Sequence, residues 1–509
     1  MNQSAERSSK FLVPAGLAAL VWFGALFHAA YDLWAASVVF LAGTVLVSVW
    51  TLGHLRHETP VKLPLAPAAV LFLSAVWMSS IHAVDTNTTR LEAWGWTFSI
   101  AFFYLLVNTL DTDVEWNRFF YCAGSVMVVM AGVCLWQQSA GYPDTFCIGE
   151  VCFWEKWTGH PDVWGHWEIP ATLINSLVLA GFTLNAVFLF WEDAQKGRRG
   201  GIFLFCTCLF VLALARSWWS YICLLAGFAV YYQDPILSWI KMRKRVGFAV
   251  GAILLTLLAA VVVLKVRVHT GPYKGSSRYY YWYTAVRIWL AYPWTGIGLG
   301  GFATAYPYFR TPQFQSTLFV HSFPLQWLCE TGILGIAGLA LMVVSAWKFL
   351  AKNRACQAAL VAVLAFSMLS INLEYLLNKI LLLILLAATL RTENKTCIRI
   401  KPLWIGVFCI SLWLMSPFWV RMFIGSQWVT TGLTEETSGH WPQAQASYQK
   451  AISIDPANAE AYAGLARIYR KAYHESHDTA DLSRSQDYLQ DAMRWKNDIR
   501  YRILRNGEI

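Results

Sequence analysis

Long apolar runs separated by short polar gaps set the pattern of this chain from Phe11 to Arg421. Each run is about 20 residues, the length an α-helix needs to cross the hydrocarbon core of a bilayer. The runs predict thirteen spans, near 11–30, 34–53, 64–83, 93–110, 119–137, 169–190, 202–216, 217–232, 247–267, 324–348, 356–375, 377–391 and 402–420. The two runs within 202–232 are short and predict a tight hairpin with Arg216 at its outer turn. A membrane barrel would show short alternating segments instead. The expected fold class is therefore all-α: a polytopic helical membrane protein of about 13 transmembrane helices.

Composition agrees with that pattern. Of the 509 residues, 57% are hydrophobic and only 14% charged, well below the roughly 25% charge of a soluble chain. The formal charge of +10 raises nucleic acid as a partner, but the placement of the charge argues against it. Basic residues gather in the gaps: Arg56 and Lys62; Lys196, Arg198 and Arg199; Lys241, Arg243, Lys244 and Arg245; Lys352 and Arg354; Arg391, Lys395, Arg399 and Lys401. Scattered loop charge is not a continuous basic footprint. With the N-terminus inside, every cluster falls on the cytoplasmic side, as the positive-inside rule requires. Arg7 and Lys10 precede the first run, which reads as a retained helix rather than a cleaved signal. Residues 138–168 and 268–323 then lie outside, together with the tail from Phe423 onward.

The tail has a helical repeat pattern. Trp441, Ala444, Tyr448, Ala451 and Pro456 carry the spacing of the second half of a tetratricopeptide repeat. Tyr462, Leu465, Ala466 and Tyr469 fall where the next repeat's first helix puts its core positions, and Leu489 and Ala492 suit a further helix. Residues 1–422 thus form a membrane domain and 437–509 a soluble helical domain, a docking surface for a partner or a structural cap. Most of the 11 cysteines lie in or beside spans, where cysteine is a small core residue. Cys147 and Cys152 differ. They share an outer loop with Gly149 between them, suited to a small disulfide hairpin in an oxidising compartment or to two reduced thiols.

The candidate chemistry lies in the outer segment 268–323 and just beyond it. GSSRYYYWYTAVRIWLAYPW has helical periodicity, with Tyr279, Tyr283, Val286 and Leu290 broadly on one side. Arg278 and Arg287 lie about 100° apart around that helix and about 13 Å along it, placed to flank an extended polyanion. Pro293 ends the helix, and the glycines of GIGLGG allow sharp turns. No lysine with serine or threonine follows, so this is not a phosphate-binding P-loop. His321 comes next, then Glu330 in the first turns of a span. Histidine can take a proton from a sugar hydroxyl near neutral pH. Arginine's planar fork suits diphosphate oxygens and stabilises a leaving diphosphate without a metal. Each residue also has a plain reading. Arg278 and Arg287 serve as interfacial anchors, Arg216 as a salt-bridge partner, and Glu330 as a carboxylate complementing its helix macrodipole.

The segment from Arg278 to Gly338 resembles the signature region of the O-antigen ligase and O-antigen polymerase superfamily. The resemblance rests on Arg278 with Trp282, PWTGIGLGGF (Pro293 to Phe302), His321-Ser322 and Glu330-Thr331-Gly332. Ser322 stands where the family usually has asparagine. LARSWWS resembles a family Ser-Arg-Gly element, with Arg216 in the arginine position but Ala215 and Ser217 beside it. TGHPDVWGHWEIPATLIN, Thr158 to Asn175, resembles the segment before the preceding span.

The resemblance implies a metal-independent glycosyltransferase of the GT-C type in a bacterial inner membrane, needing no cofactor. Its donor would be an undecaprenyl-diphosphate-linked glycan at the periplasmic face. Its acceptor would be lipid A core, a protein hydroxyl or, for a polymerase, another lipid-linked glycan. By that resemblance Arg216 and Arg278 hold the diphosphate and His321 activates the acceptor hydroxyl, with Arg287, Arg310, Arg90 and Glu330 as secondary candidates. A lipid-glycan transporter would need charged or broken helices near mid-membrane. A non-catalytic scaffold would work through the repeats alone.

Overall fold

The computed structural model of the chain describes residues 2–57, 61–140, 146–148, 151–154, 171–173, 175–242, 277–310, 317–350, 353–390, 397–398 and 402–495. The first half holds α1 (Asn2–Leu26), α2 (Leu33–His57), α3 (Ala66–Met78), α4 (Thr86–Thr109), α5 (Asp113–Gly124) and α6 (Val126–Ala140). After a short hairpin come α7 (Ser176–Gln195), α8 (Arg199–Leu214), α9 (Trp218–Tyr231) and α10 (Gln233–Met242). The second half holds α11 (Ser277–Ala291), α12 (Phe302–Phe309), α13 (Phe323–Leu350), α14 (Arg354–Ser367), α15 (Leu376–Thr389) and α16 (Pro402–Thr437). The tail adds α17 (Trp441–Ile454), α18 (Ala459–Ser476) and α19 (Thr479–Trp495). Polar residues start several of these helices by capping otherwise unpaired N–H groups. Asp85 accepts from Thr88 N–H, Asn353 from Cys356 N–H, and Thr112 forms a capping box with Glu115.

The chain is a multi-pass helical membrane protein. Among the described residues, five helical stretches are long and apolar enough to cross a bilayer: Leu33–His54, Asp113–Gln138, Ser176–Gln195, Phe323–Ala346 and Gly406–Thr437. Six other expected windows hold shorter apolar helices. The window 93–110 holds α4, whose first turns carry Arg90 and Glu92. The window 247–267 lies outside the described residues. A count of thirteen is therefore not confirmed. Exposed Ile410, Trp413 and Leu414 give α16 an apolar outward face, as a lipid-facing helix needs. An aromatic chain fixes its inner face: Trp419 meets Phe40 of α2 at 4.7 Å and Trp94 of α4 at 5.6 Å between ring centroids.

The expected tight hairpin is tight only at its turn. α8 packs mainly on α7 and α6, while α9 packs mainly on α14. Each arm finds a larger apolar surface there than the other arm offers.

Among the described residues, two small ladders interrupt the helices. β1 (Val61–Lys62) pairs antiparallel with β4 (Cys397–Ile398), joining two connections at one end of the bundle. β2 (Phe146–Ile148) pairs with β3 (Val151–Trp154), placing the backbone of Cys147 opposite Cys152. Three ion pairs mark one end of the bundle. Lys62 pairs with Asp111, Arg198 with Asp193 and Arg354 with Asp234. The opposite end carries the connections built around Arg216, Arg278 and His321.

α16 runs without a break from the basic end past Phe423 to Thr437, so the last apolar helix continues into the first helix pair of the tail. Trp428 and Val429 of α16 pack with buried Ala444, Tyr448 and Ala451 of α17 and with Leu465 of α18. Leu489 and Ala492 of α19 close a second cluster on Ala463 and Ala466. Tyr469 stacks on Tyr488 at 5.6 Å. A polar clamp crosses this core. Arg467 donates to both carboxylate oxygens of Glu436 at 2.8 Å, and Tyr448 hydroxyl donates to the same carboxylate at 2.6 Å. Charge-assisted paired bonds of this kind are strong. Replacing Arg467 with Ala is expected to cost the repeat about 2 kcal/mol. The check is thermal unfolding of the full chain in detergent, followed by protease cleavage within 437–495 at a lower temperature than in wild type.

Candidate functional site

The glycine turn is part of a broken helix. α11 stops at Ala291, and the segment after Pro293 turns in to pair with α13. Ile297 N–H donates to Cys329 O at 3.1 Å and Gly298 N–H to Glu330 O at 2.9 Å. In the other direction, Ile333 N–H donates to Pro293 O at 2.9 Å and Leu334 N–H to Trp294 O at 3.3 Å. α13 opens here because Gly332 takes φ 65°, ψ −165°. The break frees carbonyls before it and N–H groups after it. An unpaired backbone group is costly at membrane depth, and the turn repairs four of them. Two glycines are sterically required. A Cβ on Gly332 would lie 2.3 Å from the carbonyl carbon of Trp294, and one on Gly296 (φ 67°) 2.3 Å from that of Glu330. This is the physical content of the spaced glycines and of Glu-Thr-Gly.

Glu330 is 1% exposed. Its carboxylate accepts from Phe302 N–H and from Gln326 Nε2, both at 3.2 Å. It does complement a helix N-terminus, but that of α12 rather than its own. Its own helix has already made two turns, and the donor it meets is Phe302 N–H, left open at the first residue of α12. Gln326 also accepts from Val320 N–H at 3.0 Å through its amide oxygen. It therefore ties the loop before His321 to the glycine turn.

α11 buries Tyr281, Thr284, Ala285 and Ile288. The side carrying Tyr279, Tyr283 and Leu290 faces outward instead, at 63%, 49% and 65% exposure. That face is a real stripe, but the other stripe meets the protein, because it packs on Phe302, Tyr306 and Val320. Tyr281 lies against the His321 ring, 6.0 Å between centroids and 26° from parallel. Arg278, one turn earlier, donates to Leu369 O at 3.1 Å.

His321 holds a left-handed backbone, φ 58°, uncommon and costly for a residue with a Cβ. Its buried Nδ1 has no hydrogen-bond partner among the described residues. Burial, and then the charge of Arg278, push its pKa down to about 4. Burial lowers the pKa of Arg278 as well. Burial and the neighbouring guanidinium thus favour the neutral imidazole at physiological pH.

Arg216 lies in the turn between α8 and α9, also left-handed at φ 50°. Its Nη2 donates to Gln138 Oε1 at 3.1 Å at the end of α6. Asp234, just past α9, pairs with Arg354 at the start of α14 at 2.7 Å, so the two helices run antiparallel. The start of α9 then lies beside the end of α14, which leads to Leu369. Arg216, Arg278 and His321 therefore share one end of the bundle. Arg287 donates to Phe309 O at 2.7 Å and holds the end of α12. Arg310 follows that helix, and Arg90 is exposed on the first turns of α4. Sequence reasoning missed Tyr281 and Gln326. Their signals were local: Tyr281 is one helical turn from Arg278, and Gln326 one turn before Glu330.

Residues 200–340 match the family described as O-Antigen ligase, and residues 437–472 match the TPR repeat family. The two matches fall on the segments whose motifs resemble those families, and the first supports an O-antigen ligase- or polymerase-like role. No curated protein matches the chain. The broken helix makes its own prediction. Gly332→Ala should destabilise the purified protein by at least about 1–3 kcal/mol, the cost of strained backbone alone, read as a lowered Tm in detergent.

Proposed function

We propose that the protein transfers a glycan from an undecaprenyl-diphosphate-linked donor to an acceptor hydroxyl at the periplasmic face of a bacterial inner membrane, as a metal-independent, GT-C-type ligase. The observation that carries this reading is the neutral His321, its Nδ1 unpaired, beside the Arg278 guanidinium and at the same end as Arg216. The basic connections at the opposite end support a cytoplasmic reading of that end, by the positive-inside rule.

The chemistry follows from those groups. The acceptor oxygen attacks the anomeric carbon while the bond from that carbon to the diphosphate oxygen breaks. The electron pair of that bond leaves with the lipid diphosphate, and the acceptor's proton passes to His321. Arg278 and Arg216 face the charge that grows on the diphosphate, fixed in place before the reaction. Their hydrogen bonds to Leu369 and Gln138 hold each guanidinium on the bundle. Donor binding also bears on the base. A diphosphate against Arg278 offsets the positive charge that disfavours protonation of His321, so the imidazole becomes more basic when the donor is in place.

His321→Ala is expected to lower turnover at least about a hundredfold, the low end for loss of a general base. Arg216→Ala and Arg278→Ala should lose turnover while inserting normally in the membrane. Reconstitution with lipid-linked glycan and candidate acceptors measures this, and wild-type rates in the His321 variant would sink the reading. The pH profile is a separate check. A base with its pKa near 4 is active when neutral, so kcat/KM should stay level down to about pH 5 and fall only as pH drops through about 4. An acid limb near 6.5, the ordinary histidine value, would contradict the buried, arginine-flanked environment.

A further inference from the structure

A cavity of about 410 Å³ lies at the same end as His321, between the membrane helices and the tail. Its membrane side comes from the connection between α1 and α2, the start of α4, the glycine turn with α12, the loop before α13, and α15. Its roof is the connection from α17 to α18, with Asp455, Ala457, Asn458, Ala459 and Glu460. Asn87 Nδ2 donates to Ala457 O at 3.0 Å, fixing the roof to the wall. Phe319 and Gln326 line it, so the cavity begins two residues from His321.

The lining has two chemistries. One wall is aromatic. Tyr31 is 43% exposed and lies 5.0 Å from Tyr375, which in turn lies 6.2 Å from Phe319. Phe40 and Phe418 continue the apolar surface below. The other wall is acidic. Asp32, Asp85, Glu92 and Glu374 line it, with Asp455 and Glu460 in the roof, and among the described residues Lys379 is the one lining cation. Lys379 is itself bound to Glu92 and lies over the Trp96 ring. Glu374 sits beside this pair, and its carboxylate makes no hydrogen bond among the described residues.

Such a space offers oxygens rather than cations, so it holds a phosphate poorly. It suits a ligand that donates many hydroxyl hydrogens and offers flat C–H faces to aromatic rings. We infer that this cavity binds the hydroxyl-rich, unphosphorylated end of the acceptor glycan, and that the repeat domain forms its roof. The assignment rests on the transfer reading above, with the diphosphate held by the arginines and the acceptor on the other side of His321. The repeat domain then takes part in substrate recognition, and α16 holds it over the cavity as one continuous helix.

The test uses full-length protein in detergent and saturation-transfer NMR. The probes are a neutral tetrasaccharide, chitotetraose, and an anionic one, tetragalacturonate. Chitotetraose should bind and tetragalacturonate should not. Ala303→Trp, which fills the cavity beside Gly300, and the near-isosteric Glu374→Gln should each weaken chitotetraose binding at least tenfold. Lys62→Ala, at the opposite end of the bundle and outside the cavity lining, should leave it unchanged. Equal binding of the two probes, no binding of either, or chitotetraose binding that survives both cavity variants would overturn the assignment. If His321→Ala keeps wild-type turnover while the cavity variants lose sugar binding, the transfer mechanism fails and the cavity stands.

Discussion

The structure at the end that carries His321 depends on an exchange of backbone hydrogen bonds. A membrane helix is stable because every N–H and C=O in it is paired within the segment. α13 gives up that self-sufficiency at Gly332, and the glycine turn from Pro293 to Gly301 supplies the missing partners. The turn thereby reaches the depth of α13. Glu330 and Gln326 then extend the same repair with side chains, toward the start of α12 and the loop of His321. The histidine is positioned by a chain of polar contacts that begins at one broken helix.

Strain is concentrated at this end. Arg216 and His321 both hold left-handed backbones, as do His28, Ala29 and Ala30 in the connection that borders the acidic cavity. None is a glycine. The surrounding packing over-determines these conformations: His28 N–H donates to Thr172 O, and its ring meets Asp32 at 2.7 Å. The opposite end has ion pairs and two-residue strands that join connections. The two ends thus differ: ion-paired connections at one, and strained turns, arginines and an acidic, aromatic cavity at the other.

The tail is tied to the membrane part in two ways. α16 is continuous through both, and Asn87 bonds to the α17–α18 connection. A repeat pair this small would be marginal alone, since each repeat buries its apolar face only against a neighbour. Here the end of α16 acts as that neighbour, through Trp428 and Val429.

Much of this was legible in the order of residues. Apolar length gave the helices, basic gaps gave their alternation, and Ala444, Tyr448, Leu465 and Ala492 gave the repeat, because those signals are periodic and local. The family signature drew attention to Arg278, His321 and Gly332 one by one. Other features were set only by packing between distant segments. Periodicity found a stripe on α11 but not which stripe faces the protein, since that depends on α12 and the loop before His321. Position assigned Glu330 to its own helix, whereas the start of α12, brought beside α13, supplies its backbone donor at Phe302. The depressed basicity of His321 and the cavity beneath the tail come from groups far apart in the chain, and burial and charge act through space.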